Sequence, residues 1–331
     1  MPYPRLDVLC IGNAIVDVIA NASDEFLTGE GLVKASMRLI DADEAERLYS
    51  HMGPAHQVSG GSAGNTAAGV AALGGRAGFI GQVAPDQLGD FYRHDLTSAG
   101  VEFITPSADV GQPTARSMIL VTPDGHRTMN TFLGAAQHLP KSALDEEQIR
   151  GSAILYLEGY LWDPETPRYA MVRAIEVARE AKRKVAFTLS DMFCVDRHRD
   201  GFNRLLDERR IDILFANQAE IEALAGVAHL DSAVAAIAPK VETLVVTRSE
   251  DGALATRGGE RADVPAEPIE KLVDTTGAGD LFAAGFLLGT ARGKSLEDSL
   301  RLGAIAAAEV IQHYGARPEA DLRALAGELA A

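Results

Sequence analysis

Cysteine is almost missing from this 331-residue chain: only Cys10 and Cys194 occur, each inside an apolar segment. Two thiols so placed read as reduced core residues, which excludes a disulfide scaffold and points to a cytoplasmic location. No apolar run approaches the ~18 residues of a membrane span. The opening "MPYPRLDVLCIGN" also lacks the basic-then-apolar layout of a signal peptide. Basic tracts are missing too. With 31 Lys and Arg against 47 Asp and Glu, the formal charge is −16, which repels nucleic-acid phosphates and anionic lipid alike. The partners left to consider are small molecules.

Three common site signatures are absent as well. After Gly277 and Gly279 the third position is Phe282, so no G-x-G-x-x-G dinucleotide fingerprint occurs. "GTARGKS" (Gly289 to Ser295) has three residues between its glycines where a Walker-A loop needs four. It also closes a helix instead of following a strand. The eight histidines show no H-E-x-x-H or related spacing, and no zinc site is expected.

What is present is a core-building sequence. Apolar residues make up 47% of the chain and its mean hydropathy is near zero. "LDVLCIGN", "AGFIGQV", "AILYLEGYL", "KVAFTLSD", "IDILFANQ" and "TLVVTRSEDG" hold near-continuous apolar runs, as strands buried on both faces do. Helical stretches such as "ETPRYAMVRAIEVAREAKRK" and "DSAVAAIAPKV" lie between them. The alternation predicts an α/β fold: a doubly wound, mainly parallel sheet flanked by helices, with ligands beyond the carboxyl ends of its strands. Residues 14–39 and 115–132 break the pattern with strand-like pieces and a turn at "PDG". They predict a small β lid, inserted twice into a single domain over residues 1–331. Such a lid either covers its own site or pairs with a second copy, so the chain is expected to be a monomer or a homodimer.

Five stretches carry chemistry. "VDTTGAGDLFAAGFLLG" follows an extended run and opens an apolar helix. Gly277 and Gly279 accept φ > 0, and with Ala278 they can aim successive N–H groups at one anion beside the helix N-terminus. Asp280 follows in the first turn. There it is either an ordinary helix-start carboxylate or a base that aims an acceptor hydroxyl at a phosphoryl group; a weak base suffices, because the hydroxyl loses its proton late. "SGGSAGNTAAGVAALGG" starts a helix with small residues around Asn65, which reads as a sugar-hydroxyl contact or as close helix–sheet packing. Asp17 in "IGNAIVDVI" is a solvated turn residue or an acceptor for a vicinal diol. Asn217 and Glu220 in "ANQAEIEAL" are a capping box or holders of waters around Mg²⁺. Arg127 in "DGHRTM" is a solvated loop arginine or a charge clamp for a phosphoryl group. Trp162 and the methionines read as packing.

Together these pieces resemble the ribokinase-like (PfkB) carbohydrate and nucleoside kinases, in the family's order along nearly the whole chain. "GGSAGNTAAGVAALGGRAGFIGQVAPDQLGDF" and "DTTGAGDLFAAGFLLG" match the two signature regions, with "NQAE" between them. "GNAIVD", "GGSAGNT", "FTLSDMF" and "DILFANQAE" are similar to the branch that acts on adenosine. The resemblance implies ATP-dependent phosphoryl transfer to the 5′-hydroxyl of adenosine, with a sugar kinase or a silent nucleoside-binding regulator as the alternatives. It implies Asp280 as base, the amides of Gly277, Ala278 and Gly279 as anion hole, and Arg127 closing over the phosphate. Asn13, Asp17, Gly61 and Asn65 would surround the ribose, with Phe193 stacking on the base. Asn217, Thr247, Gly252 and Thr276 would lie on the ATP side, Glu220 would organise Mg²⁺ through water, and K⁺ would sit near Asp274 and Thr276. Two departures bear on base specificity: Arg248, Ser249 and Glu250 stand before Gly252, and Asp191 stands beside Phe193.

Overall fold

The computed structural model describes residues 4–330; the extreme ends of the expected single-domain span, residues 1–3 and 331, lie outside the described residues. The strands in chain order begin with β1 (Leu6–Ile11), β2 (Ile15–Asn21), β3 (Met37–Leu39), β4 (Ala55–Gly60) and β5 (Ala77–Ile80). They continue with β6 (Val101–Glu102), β7 (Ala115–Val121), β8 (Arg127–Phe132), β9 (Ser152–Glu158) and β10 (Lys184–Thr188). The last four are β11 (Ile213–Asn217), β12 (Thr243–Thr247), β13 (Ala253–Arg257) and β14 (Glu260–Val264). The helices are α1 (Asp24–Gly29), α2 (Ala42–His51), α3 (Ser62–Ala72), α4 (Gln87–Ser98), α5 (Glu146–Arg150) and α6 (Glu165–Glu180). After them come α7 (Met192–Asp207), α8 (Gln218–Ala225), α9 (Leu230–Ile237), α10 (Ala278–Ala291), α11 (Leu296–Val310) and α12 (Leu322–Ala326).

Nine strands form one sheet in the order β14-β13-β12-β11-β10-β9-β1-β5-β6. From β6 to β12 the pairings are parallel; β13 and β14 add an antiparallel edge. The six predicted strands are all in it. Every residue of β1 and β5 is buried, as their unbroken apolar runs require. One layer of core joins the sheet to α3, α10 and α11, and a second joins its other face to α6, α7, α8 and α9. Trp162 belongs to that second layer, edge-on to Phe187 and Phe202, so it packs as expected. "GTARGKS" runs off the end of α10, and Ser295 caps α11.

A second sheet of five strands runs β3-β8-β7-β2-β4. Residues 115–132 supply the β7–β8 hairpin around "PDG". Residues 14–39 supply β2 and β3, with α1 between them. Its other edge, β4, comes from "AHQVSG", whose first three residues are exposed and show no alternation. Along β2, Val16, Val18 and Ala20 are buried while Asp17 occupies the opposite face. Only Gly12–Ala14 separate β1 in the large sheet from β2 in the small one, and only Gly61 separates β4 from α3. The site lies where those two connections meet. No single helix among the described residues is long and apolar enough to cross a membrane.

Candidate active site

The glycine turn is built by its neighbours. Val273 N and Asp274 N donate to the carbonyl of Ile311, which anchors the chain before the turn. Gly277 caps α10 with φ of 81°, and a Cβ there would lie 2.5 Å from Ala316 Cβ, so no other residue fits. Gly279 is different. A Cβ on it would meet nothing within 4 Å, so the space above the turn is open. Ala278 N donates to the Thr275 carbonyl at 3.2 Å, so of the three amides expected to hold an anion it is already engaged, while Gly277 N and Gly279 N have no backbone acceptor. A helix start with those two N–H groups and empty room before it suits an anion.

Asp280 does not face that solvent freely. Its Oδ1 accepts from Ser62 Oγ at 2.7 Å and its Oδ2 from Asn65 Nδ2 at 2.9 Å. Small residues make this possible: a Cβ on Gly69 would lie 2.8 Å from Ala284 Cβ, so α3 and α10 pack nearly backbone to backbone. Close packing and a polar site are therefore the same feature. Burial raises the Asp280 carboxyl above its ordinary range, although Ser62, Asn65 and Arg317 all hold it down. The net direction is opposite to what the helix dipole alone would give.

Asn13 and Gly61 form the floor beside it. Asn13 N and Nδ2 each donate to Glu158 Oε1 at 2.7 Å, and Ala63 N donates to Glu158 Oε2 at 2.8 Å. Gly61, with φ of 84°, leaves no room for a Cβ against the carbonyl oxygen of Asn13. Asp17 lies alongside, beneath Gly60, and burial pushes its carboxyl up to about 7 against the pull of Arg317 and Arg127. Glu158, wholly buried, is likewise pushed up to about 7 by burial.

Arg127 opens β8 and reaches the same turn from the small sheet. Its Nη2 pairs with Asp274 Oδ2 at 2.8 Å, with both side chains under a tenth exposed at 8% and 7%. Its Nη1 donates to Thr276 Oγ1 at 3.4 Å, and its guanidinium faces the Tyr314 ring at 5.4 Å. Thr276 N and Oγ1 in turn donate to Asp274 Oδ1, and Gly315 N to Oδ2. This arginine is thus a buried ion-pair partner in this state.

At the strand ends farther along the sheet, Asn217 and Thr247 are register partners on β11 and β12. Asn217 and Glu220 form a complete capping box: Glu220 N donates to Asn217 Oδ1, and Asn217 N and Nδ2 donate back to the two Glu220 oxygens. Burial pushes Glu220 up to about 7. Gly252, with φ of 82°, packs against the backbone of Val264 to Ala266 and turns β12 into β13. The departing residues before it make a short 3-10 turn with Ser249 at φ of 51°.

Phe193 stands apart. It is 67% exposed at the start of α7, while Asp191 caps that helix through Cys194 N. Ser62, Glu158 and Arg317 escaped the sequence reading. A charge ending the all-apolar run "ILYLE" was a usable signal for Glu158; nothing in "GARPE" marks Arg317.

Three acids pushed up to about 7, Glu158 and Glu220 buried and Asp17 half-buried, make stability depend on pH. Between roughly pH 4.5 and 7 the native chain keeps protons that the unfolded chain has released, so their stabilising effect is lost as pH rises through 7. We expect the Tm of the ligand-free protein to fall from pH 5.5 to 8. A Tm that climbs across that window would contradict the placement of these acids.

The comparisons with known proteins agree on the family. The model of the pfkB family carbohydrate kinases matches residues 5–322. A solved adenosine kinase from Sinorhizobium meliloti is 50% identical, covers 97% of this chain and 98% of its own, and superposes with a TM-score of 0.90. A solved probable sugar kinase from Rhizobium etli is 48% identical over 98% of both chains, also with a TM-score of 0.90. Adenosine kinase of Saccharomyces cerevisiae is 28% identical over 93% of this chain and 95% of its own. With the family match spanning both sheets and the glycine turn, the chain belongs to the pfkB family of carbohydrate kinases.

Proposed function

We propose that the chain transfers the terminal phosphoryl group of ATP to the 5′-hydroxyl of adenosine. The observation that carries this reading is Asp280, held by two donors from α3 beside the open turn at Gly279. The relatives named as adenosine kinases give the acceptor. Asp17 accepts from the ribose diol, while Asn65 and the chain at Asn13 and Gly61 shape its floor. The 5′-hydroxyl gives its proton to Asp280 as its oxygen bonds to phosphorus; the bond from phosphorus to the bridging oxygen breaks and ADP leaves. The amides of Gly277 and Gly279 hold the phosphoryl oxygens through the transfer, and that of Ala278 joins them by exchanging the Thr275 carbonyl for phosphate.

Arg127 would serve as the clamp by exchanging Asp274 for phosphate, and the small sheet that carries it would act as the lid that keeps water out. Asn217, Thr247, Gly252 and Thr276 line the path proposed for ATP, and Phe193 stays a stacking surface for the base only if that lid brings the ligand to it. Mg²⁺ would enter with the nucleotide and neutralise phosphate charge. Each Glu220 oxygen keeps one lone pair beyond its bond to Asn217, which suits contact through water. Among the described residues no three His, Cys, Asp or Glu side chains gather as a direct ligand set. K⁺ fits poorly at Asp274, whose oxygens already accept from Arg127, Thr276 and Gly315. Two free, buried cysteines support placing the protein in the reducing cytoplasm.

A coupled ATP-consumption assay over nucleosides and free sugars tests the acceptor. Adenosine is expected to give a kcat/KM at least about 100-fold above ribose or fructose, the range a set of buried polar contacts discriminates. Preference for a free sugar would transfer the same chemistry to the reading suggested by the Rhizobium etli relative's description.

A further inference from the structure

Arg317 is the largest polar group near the site without a role so far. It lies in the loop between α11 and α12, where Gly315 N is tied to Asp274 and Ala316 packs on Gly277. Its guanidinium reaches back to α3 and β4. Nη1 donates to Asn65 Oδ1 at 2.8 Å and to the Gly64 carbonyl at 3.5 Å; Nη2 donates to Ser59 Oγ at 2.9 Å and to the Ser59 carbonyl. Ser59 is fixed from the other side, since its N and Oγ both donate to Asp95 Oδ2.

The consequence lies in the Asn65 amide. A guanidinium has no acceptor, and the Asp280 carboxylate, when charged, has no donor. Asn65 stands between them, bonded to both. Turned over, its NH₂ would face the guanidinium and its oxygen would face the carboxylate, and both contacts would be repulsive. One orientation is therefore enforced, and it leaves a second Nδ2 hydrogen for a ligand. We propose that Arg317 is a positioning residue for phosphoryl transfer: by occupying Asn65 Oδ1 it compels the amide to donate to Asp280 and so aims that carboxylate at the acceptor hydroxyl.

The charge surroundings agree with this geometry. Asp280 is faced by Asp17 on β2, Cys10 on β1, Tyr156 and Glu158 on β9, and Tyr160 just beyond. Arg317 is the cation that faces it from the C-terminal loop, and it also offsets Asp17. Asp17 and Glu158 share this environment, so the acid limb of kcat belongs to the cluster, and the discriminating readout is kcat once the charge has been restored by lysine.

The inference rests on Asp280 as the base, and Arg317→Met and Arg317→Lys test it separately from that reading. In Arg317→Met we expect kcat to fall at least about 10-fold and the acid limb of the kcat profile to move up by about one pH unit, with KM for ATP unchanged. Lysine restores the charge but not the fork, so Arg317→Lys should return the limb toward its original position while kcat stays depressed. A brace without a positioning role would lower Tm in both variants and leave kcat per folded enzyme and the limb where they were; that result overturns the proposal. Should Arg317→Met fail to fold, wild-type kcat in folded Arg317→Lys overturns it equally. Loss of turnover in Asp280→Asn with no limb shift in Arg317→Met would sink this inference and leave the base standing.

Discussion

Asp280→Asn is expected to lower kcat by three or more orders of magnitude while the nucleoside still binds within a few-fold of wild type. General-base catalysis accounts for about 10²–10⁴ of that loss. Asparagine has the carboxylate's shape, and the two donors around it tolerate the change. The Ser62 hydroxyl, which donates at 2.7 Å, rotates to accept from the new NH₂, while Asn65 goes on donating to the remaining oxygen. The fold therefore stays intact, and loss of a half-buried carboxylate whose titration is displaced upward relieves some desolvation. Single-turnover phosphoryl transfer separates chemistry from binding, and calorimetry measures the nucleoside. Turnover near that of wild type would remove the base assignment.

Gly279→Ala should separate a ligand site from a structural turn still more cleanly. A methyl group at this position meets nothing within 4 Å. It lies in the first turn of α10, where exchanging glycine for alanine gains up to about 1 kcal/mol of helix stability. Tm should hold or rise slightly. Activity should nevertheless fall about 100-fold, because the methyl fills the space in which the phosphoryl oxygens approach the amides. Unchanged turnover in this variant would mean that no anion enters the turn. Gly277 offers no such test: with φ of 81° and Ala316 against it, any substitution strains the backbone itself.

The large sheet was legible because its central strands are buried on both faces and so cannot afford alternation; "VLCI" and "ILYL" announce themselves. The edge strand β4 was not, since "AHQ" faces solvent and carries neither period. Around the site, residues inside short signatures were readable: Gly61, Asn65 and Asp280 fall within two contiguous stretches. Spacing could not decide whether Asn217 and Glu220 cap a helix or attend a metal, because both uses need the same three-residue offset; the capping bonds are formed. Arg317 was invisible for another reason. Its partner Asn65 is 252 residues away in the chain, and a local reading has no access to such a contact.

The brevity of two links between the sheets has a kinetic corollary. Gly12–Ala14 join β1 to β2, and Gly61 joins β4 to α3, so Asn13 and Gly61 are at once floor of the cleft and straps of the flap above it. On the proposed reading, an alcohol seated there would stiffen both straps. If the small sheet is the lid proposed above, the idle enzyme should then squander little nucleotide on water.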